Sequence, residues 1–157
     1  MVPAAARRYL RHGLDATPVV LDRLCAGITG DELDRRPDPE RFTLREALAH
    51  MADWEPIWLD RIQRMRREND PFLPSIDEGV LAVERDYAHS DAAESLARFR
   101  SGREDLSVVL GDLAEDEWER IGYRDQVGPL TIIDLAYFVL GHDGYHLRQI
   151  ADFRDPV

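Results

Sequence analysis

Lysine is absent from this chain. All 20 basic residues are arginine, and 31 acidic residues outnumber them to give a formal net charge of -11. A surface of that sign repels phosphate backbones, which argues against general nucleic-acid binding. Cysteine is nearly absent as well: one residue, Cys25, cannot form an internal disulfide, and fits a reducing compartment. Nothing beside it lowers a thiol pKa, so it reads as a buried, inert side chain. No apolar run approaches the roughly 18 residues of a membrane span. The opening stretch MVPAAARRYLRHGLD places no apolar core behind its basic residues, so no secretory signal is expected. These absences together predict a cytoplasmic protein with neither a membrane nor a nucleic acid as partner. No window alternates apolar and polar residues strongly enough to predict a strand.

What is present is ordinary for a folded globule: 157 residues, 44% hydrophobic and 32% charged, enough for one domain spanning 1–157 with its own core. Four apolar-periodic stretches stand out, separated by loops rich in Pro, Gly and Asp. The first runs from about Ala4 to Cys25, with Gly27 and Gly30 placed to cap its end and Pro18 inside it as a site for a kink or break. A polar loop with two prolines, GDELDRRPDPERF, follows. Thr43-Leu44-Arg45-Glu46 is a capping box opening the second helix, behind which Leu44, Leu48, Met51, Trp58, Ile62 and Met65 share one face. A third helix begins after Ser90-Asp91 and buries Leu96, Phe99, Leu106, Leu110 and Leu113. Thr131-Ile132-Ile133-Asp134 is a weaker start signal for a fourth, reaching about Phe153. Four long amphipathic helices joined by lengthy connections predict an all-α four-helix bundle whose topology need not be simple up-and-down.

His142 and His146 lie four apart on the fourth helix, so they stack on one face about a turn apart. That spacing lets two imidazole nitrogens reach one ion at roughly 2.0–2.1 Å each. On a helical wheel they fall with Leu135, Val139 and Phe153, opposite Arg148, Asp134 and Asp152. The pair therefore looks inward. His50, on the shoulder of the second helix's stripe beside Ala47, Trp54 and Ile57, is the third candidate. Three histidines from two helices make an open site with positions left for water or substrate. The competing reading is core or interface histidines satisfied by hydrogen bonds. His12 and His89 carry no such context and read as a helix residue and a loop residue. Gly144, between the paired histidines, costs a helix about 1 kcal/mol relative to alanine, and it marks either close packing of another backbone or a local break.

RFTLREALAHMADWEPIWLDRI, followed at a distance by GPLTIIDLAYFVLGHDGYHLRQI, resembles the DinB/YfiT-like superfamily of four-helix metalloproteins over nearly the whole chain. In that family a histidine of the second helix joins two, four apart, in the fourth. The matching positions are His50, His142 and His146. The resemblance implies a divalent metal of the zinc or nickel type, often a homodimer, and a small-molecule substrate. It also implies either hydrolysis or transfer to a low-molecular-weight thiol such as mycothiol or bacillithiol.

Neutral imidazoles leave a bound ion its charge, so a bound water is activated or a bound thiol held as thiolate. Glu46 and Asp53, one turn to either side of His50, and Asp143, next to His142, are the carboxylates near enough in sequence to act as bases. Each has a plainer role available as a cap or a solvated charge. Trp54, Trp58 and Tyr145 either line a pocket or are plain core. His142-Asp143-Gly144-Tyr145-His146 departs from the HExxH protease helix, with Asp where Glu is required and a glycine interrupting it, so a peptidase is not expected. The rivals to an enzyme are a non-catalytic metal- or small-molecule-binding module and a dimerisation module.

Overall fold

A computed structural model describes residues 2–36 and 38–154, with the backbone alone at Arg154. Pro37, one of the two loop prolines, lies outside the described residues. The four expected helices are α1 (Ala4–Cys25), α3 (Leu44–Arg67), α5 (Ala92–Gly111) and α6 (Ile132–Arg154). Their starts are chemically explicit. Thr43 accepts from the Glu46 amide while Glu46 caps the Thr43 amide. Asp91 accepts from the Glu94 amide. Thr131 and Asp134 exchange the same pair of bonds at the head of α6. At the far end of α1, Gly27 adopts φ 73°, the left-handed turn that lets the chain leave the helix.

Pro18 does not break α1. An interior proline removes the amide that would bond the carbonyl four residues back, here that of Leu14. The Arg103 guanidinium of α5 donates to that carbonyl at 2.9 Å instead.

Helix α1 packs mainly against α5 and α6, and α3 packs mainly against the same two, so α1 and α3 face one another across the bundle. Of the four long helices in chain order, the first two are therefore diagonal while α3 and α5 are adjacent, which is not the simple up-and-down order. Apolar side chains fill two clusters. One contains Trp54, Trp58, Ile62, Leu106, Leu135 and Val139; the other contains Leu44, Leu48, Met51, Phe99 and Ile150. Where α3 and α5 cross, a Cβ on Gly102 would stand 2.5 Å from the Cβ of Glu55, so only glycine permits that approach.

The long connections carry structure that the sequence pattern does not predict. The polar loop after α1 contains a short helix, α2 (Gly30–Asp34), capped by Thr29 and Glu32. The segment between α3 and α5 adds α4 (Glu78–Glu84) and a 3₁₀ turn at Tyr87–His89. A three-stranded sheet also forms: β1 (Phe72–Leu73) runs parallel to β2 (Ile121–Arg124), which pairs antiparallel with β3 (Gly128–Thr131). The expectation of no strand is thus corrected. These strands have two to four residues and include Gly122, Gly128 and Pro129, too short and too broken for an alternating pattern to register. Cys25 is half-buried rather than buried.

The centre of the bundle is ionic. Arg103, 2% exposed, pairs bidentately with Glu55 of α3 at 2.6 and 2.9 Å and with Asp143 of α6 at 2.6 and 2.9 Å. Thr17 of α1 donates to the same Asp143 carboxylate at 2.7 Å. The two carboxylates hold the guanidinium charged against the cost of its burial. Replacing Arg103 by Met should lower unfolding free energy by about 3–5 kcal/mol, because two carboxylates remain buried without their cation; urea unfolding measures it, and a loss below about 1 kcal/mol would contradict this reading. Gly144, by contrast, sits in unbroken helix, where an added Cβ would meet nothing within 4 Å. Gly144→Ala should therefore stabilise the fold by about 0.5–1 kcal/mol, seen as a rise in thermal midpoint; a fall would mean the position has a packing role.

Candidate metal centre

Helix α3 is buried from Ala47 to Glu55 without interruption, because the bundle covers one side and the segment carrying Tyr87 covers the other. His50 lies in this stretch and is 0% exposed. Across from it, α6 presents His142 and His146 from adjacent turns. One ring nitrogen from each of the three lies within 4.8 Å of the other two, and the Nε2 atoms of His50 and His142 are 3.0 Å apart. The three ring centroids are 4.5 to 5.1 Å from one another.

Hydrogen bonding fixes one of the tautomers. His146 Nδ1 is 2.9 Å from the Gln149 side-chain oxygen, and the Gln149 amide nitrogen donates to the Phe42 carbonyl at 3.3 Å. Gln149 thus accepts from Nδ1–H, which leaves the His146 Nε2 lone pair free. His50 and His142 differ: their Nδ1 atoms are buried and have no partner among the described residues. Core histidines satisfied by hydrogen bonds would not look like this, since each orphaned nitrogen costs about 1–3 kcal/mol.

Burial sets the protonation. It lowers the His50 pKa from 6.5 to about 3 and that of His142 to about 2, with repulsion from neighbouring imidazoles adding to both. His146 is lowered for the same reason, partly offset by Gln149. All three are neutral near pH 7, the state in which imidazole offers a lone pair.

Trp54 and Trp58 form one wall, their ring centroids 5.6 and 5.8 Å from that of His142. Phe42 and Tyr87 stand on another side of His50, at 5.2 and 6.4 Å. A cavity of about 570 Å³ opens onto His142 and His146, lined also by Arg41, Phe42, Glu78 and Tyr145. Tyr145 is half exposed at its rim, with the Arg41 guanidinium 5.9 Å from its ring centroid.

The carboxylates nearest in sequence are engaged elsewhere. Glu46 caps Thr43 and binds Arg36 at 2.6 Å. Asp143 belongs to the Arg103 network, and Asp53 is paired with Arg98 and lines a different cavity. His12 is exposed on α1, and His89 is exposed and bonded to Asp86. Sequence reasoning missed Glu78, whose carboxyl at the cavity rim is raised by desolvation, and missed Gln149 and Phe42. A Gln three residues after a histidine on one helix face was the available signal for Gln149. None existed for Glu78, which reaches the cavity only through the path of α4.

Comparison with known proteins agrees with this architecture. YfiT from Bacillus subtilis, described as a probable metal-dependent hydrolase with an unusual four-helix bundle topology, superposes with a TM-score of 0.93 at 18% identity, covering 99% of this chain and 90% of that one. A Streptococcus pneumoniae protein superposes with a TM-score of 0.74, also at 18% identity, over 96% of this chain and 91% of that one. In sequence, the uncharacterized protein YuaE of Bacillus subtilis (strain 168) is 24% identical, covering 83% of this chain and 88% of its own length. The family model of the DinB superfamily matches residues 13–150. The chain belongs to the DinB superfamily.

Proposed function

We propose that this protein is a metal-dependent hydrolase in which His50, His142 and His146 hold one divalent ion, zinc or nickel. The observation that carries the reading is the convergence of three neutral, buried imidazole nitrogens, two of them 3.0 Å apart. An ion bound at about 2.0–2.1 Å keeps two such nitrogens about 2.9–3.4 Å apart, between right-angle and tetrahedral coordination. The His50–His142 pair therefore fits such an ion, and the third nitrogen lies within 4.8 Å of both. A divalent ion on three neutral ligands supplies a Lewis acid with coordination positions left for water or for a thiol sulfur.

The chain's own residues do the rest. Gln149 holds the His146 ring in the tautomer that points Nε2 inward. Trp54 and Trp58 exclude water behind His142. Glu78, whose pKa is raised by desolvation, is a cavity-lining acid placed to exchange a proton with a ligand. Hydrolysis is favoured over thiol transfer because YfiT, which shares the fold, is described as a probable metal-dependent hydrolase.

Untagged protein should carry about one equivalent of zinc or nickel by elemental analysis, and His50→Ala, His142→Ala and His146→Ala should each reduce it at least tenfold. Absence of metal after reconstitution would sink the proposal. The loaded protein should then hydrolyse ester or amide substrates in a screen run with and without added thiol; turnover only with thiol would make it a transferase.

The metal-free protein should also show the histidines in its acid response. Their folded pKa values are depressed, so the unfolded chain takes up protons first as the pH falls below about 6.5. Stability is thus present above that pH and is lost toward pH 3, by about 1.4 kcal/mol per unit for each of His50 and His142. Between pH 7 and 5.5, His142→Leu should lose less stability than the metal-free parent, by about 1 kcal/mol in urea unfolding; equal losses would mean that His142 is not held neutral.

A further inference from the structure

A second cavity, of about 380 Å³, runs along α3 beyond the tryptophans. Four arginines line it, Arg61, Arg64, Arg85 and Arg98, against two aspartates, Asp53 and Asp60. That is the reverse of a chain whose net charge is -11. Two of the guanidiniums are already neutralised: Arg98 by Asp53 and Arg64 by Glu68. Among the described residues Arg61 and Arg85 form no ion pair.

Arg61 is the unusual one. It is 3% exposed, and its guanidinium lies 5.3 Å from the ring centroids of both Trp54 and Trp58. One terminal nitrogen donates to the Pro74 carbonyl at 2.9 Å. The other, Nη1, is buried with no partner among the described residues. Burial, with Arg124 nearby, lowers its pKa to about 10, which still leaves it cationic. Asp60 attracts it from a distance, but no carboxylate is in contact with it, and a buried cation is costly unless an anion meets it.

The rest of the wall is apolar: Pro56, Ile57, Ile76 and Leu81. An inorganic ion would leave that surface uncovered, whereas an organic acid would cover it. Helix α4 joins this cavity to the histidines, since Glu78 and Gly79 line their cavity and Leu81 lines this one. Along α3, Ile57 and Arg61 share the face of His50 at about 10 and 16 Å by helical rise.

We propose that this second cavity receives the carboxylate of a small organic acid, with Arg61 and Arg85 as the receiving guanidiniums and the apolar wall holding its body. The site assigns a ligand class, small carboxylates with an apolar body. Its catalytic meaning rests on the metal-enzyme reading, but binding of the carboxylate needs no metal.

The test is a tryptophan-fluorescence titration with phenylacetate, phenylacetamide and inorganic phosphate, on metal-free and metal-loaded protein alike. Trp54 and Trp58 flank Arg61 and report its occupancy. Phenylacetate should give a saturable change in both forms, with the amide and phosphate at least tenfold weaker. Arg85→Gln, at an exposed position, should keep its thermal midpoint and bind phenylacetate about tenfold more weakly, and Arg61→Lys should weaken binding further. A folded Arg85→Gln that binds like the parent would overturn the proposal. So would equal binding of acid and amide, phosphate binding as tightly as phenylacetate, or no saturable response. Protein that fails to load metal yet binds phenylacetate would sink the hydrolase and leave the acid site standing; the opposite pattern would do the reverse.

Discussion

The guanidinium of Arg103 is almost wholly buried. It is closed in by α1, α3 and α6, and each of the three supplies it an acceptor: the Leu14 carbonyl, Glu55 and Asp143. Taking three charges out of water is expensive, and an apolar core of equal volume is often as stable. The network therefore contributes through geometry more than through stability. Leucine and tryptophan faces tolerate sliding by a fraction of a turn. Two bidentate pairs at 2.6 to 2.9 Å do not. Asp143 is the residue after His142, and Glu55 follows Trp54, so fixing these two carboxylates fixes the relative register of the helices that carry the histidines. The sequence also places Pro18 where its missing amide frees the Leu14 carbonyl for Arg103, and Gly102 where α5 must come closest to Glu55. Proline, glycine and ion pairs are one arrangement.

The histidine cluster is flanked by Trp54 and Trp58 on one side and by Phe42 and Tyr87 on another. That position explains both its protonation and its incompleteness. Desolvation keeps the rings neutral, so protons do not compete with another ligand near pH 7. The same desolvation strands Nδ1 of His50 and His142, because the surrounding atoms are indole, phenyl and aliphatic carbon. Only His146 finds a polar partner for its Nδ1, in Gln149.

Local chemistry was legible in the sequence, and long-range chemistry was not. The capping residues Thr43, Asp91 and Thr131 mark the starts of three helices because a cap is written within four residues. The i, i+4 spacing put His142 and His146 on one inward face for the same reason. His50, only on the shoulder of its wheel, became a candidate through the pair on the fourth helix, and the resemblance matched it; its complete burial comes with the segment around Tyr87, which no periodicity announces. Asp143 looked like a candidate base because it neighbours a histidine in the chain. A one-residue step on a helix turns a side chain by about 100°, and that step carries it into the Arg103 network and away from the cavity. The sheet, α2 and α4 escaped because each is five residues or fewer, or lacks an apolar stripe.

The absence of lysine, which as composition only argued against certain partners, acquires a structural sense. A lysine at position 103 would offer one point charge where two carboxylates and a carbonyl each require a directed donor. A lysine at position 61 would offer no flat face between two indoles, and desolvation would lower an ammonium's pKa far more readily than a guanidinium's. Arg103 is matched by carboxylates on two sides and is locked. Arg61 is held by aromatic faces and a single carbonyl, with one nitrogen left over. The same residue type thus serves two opposite purposes along one bundle, and what separates them is whether the fold itself provides the anion.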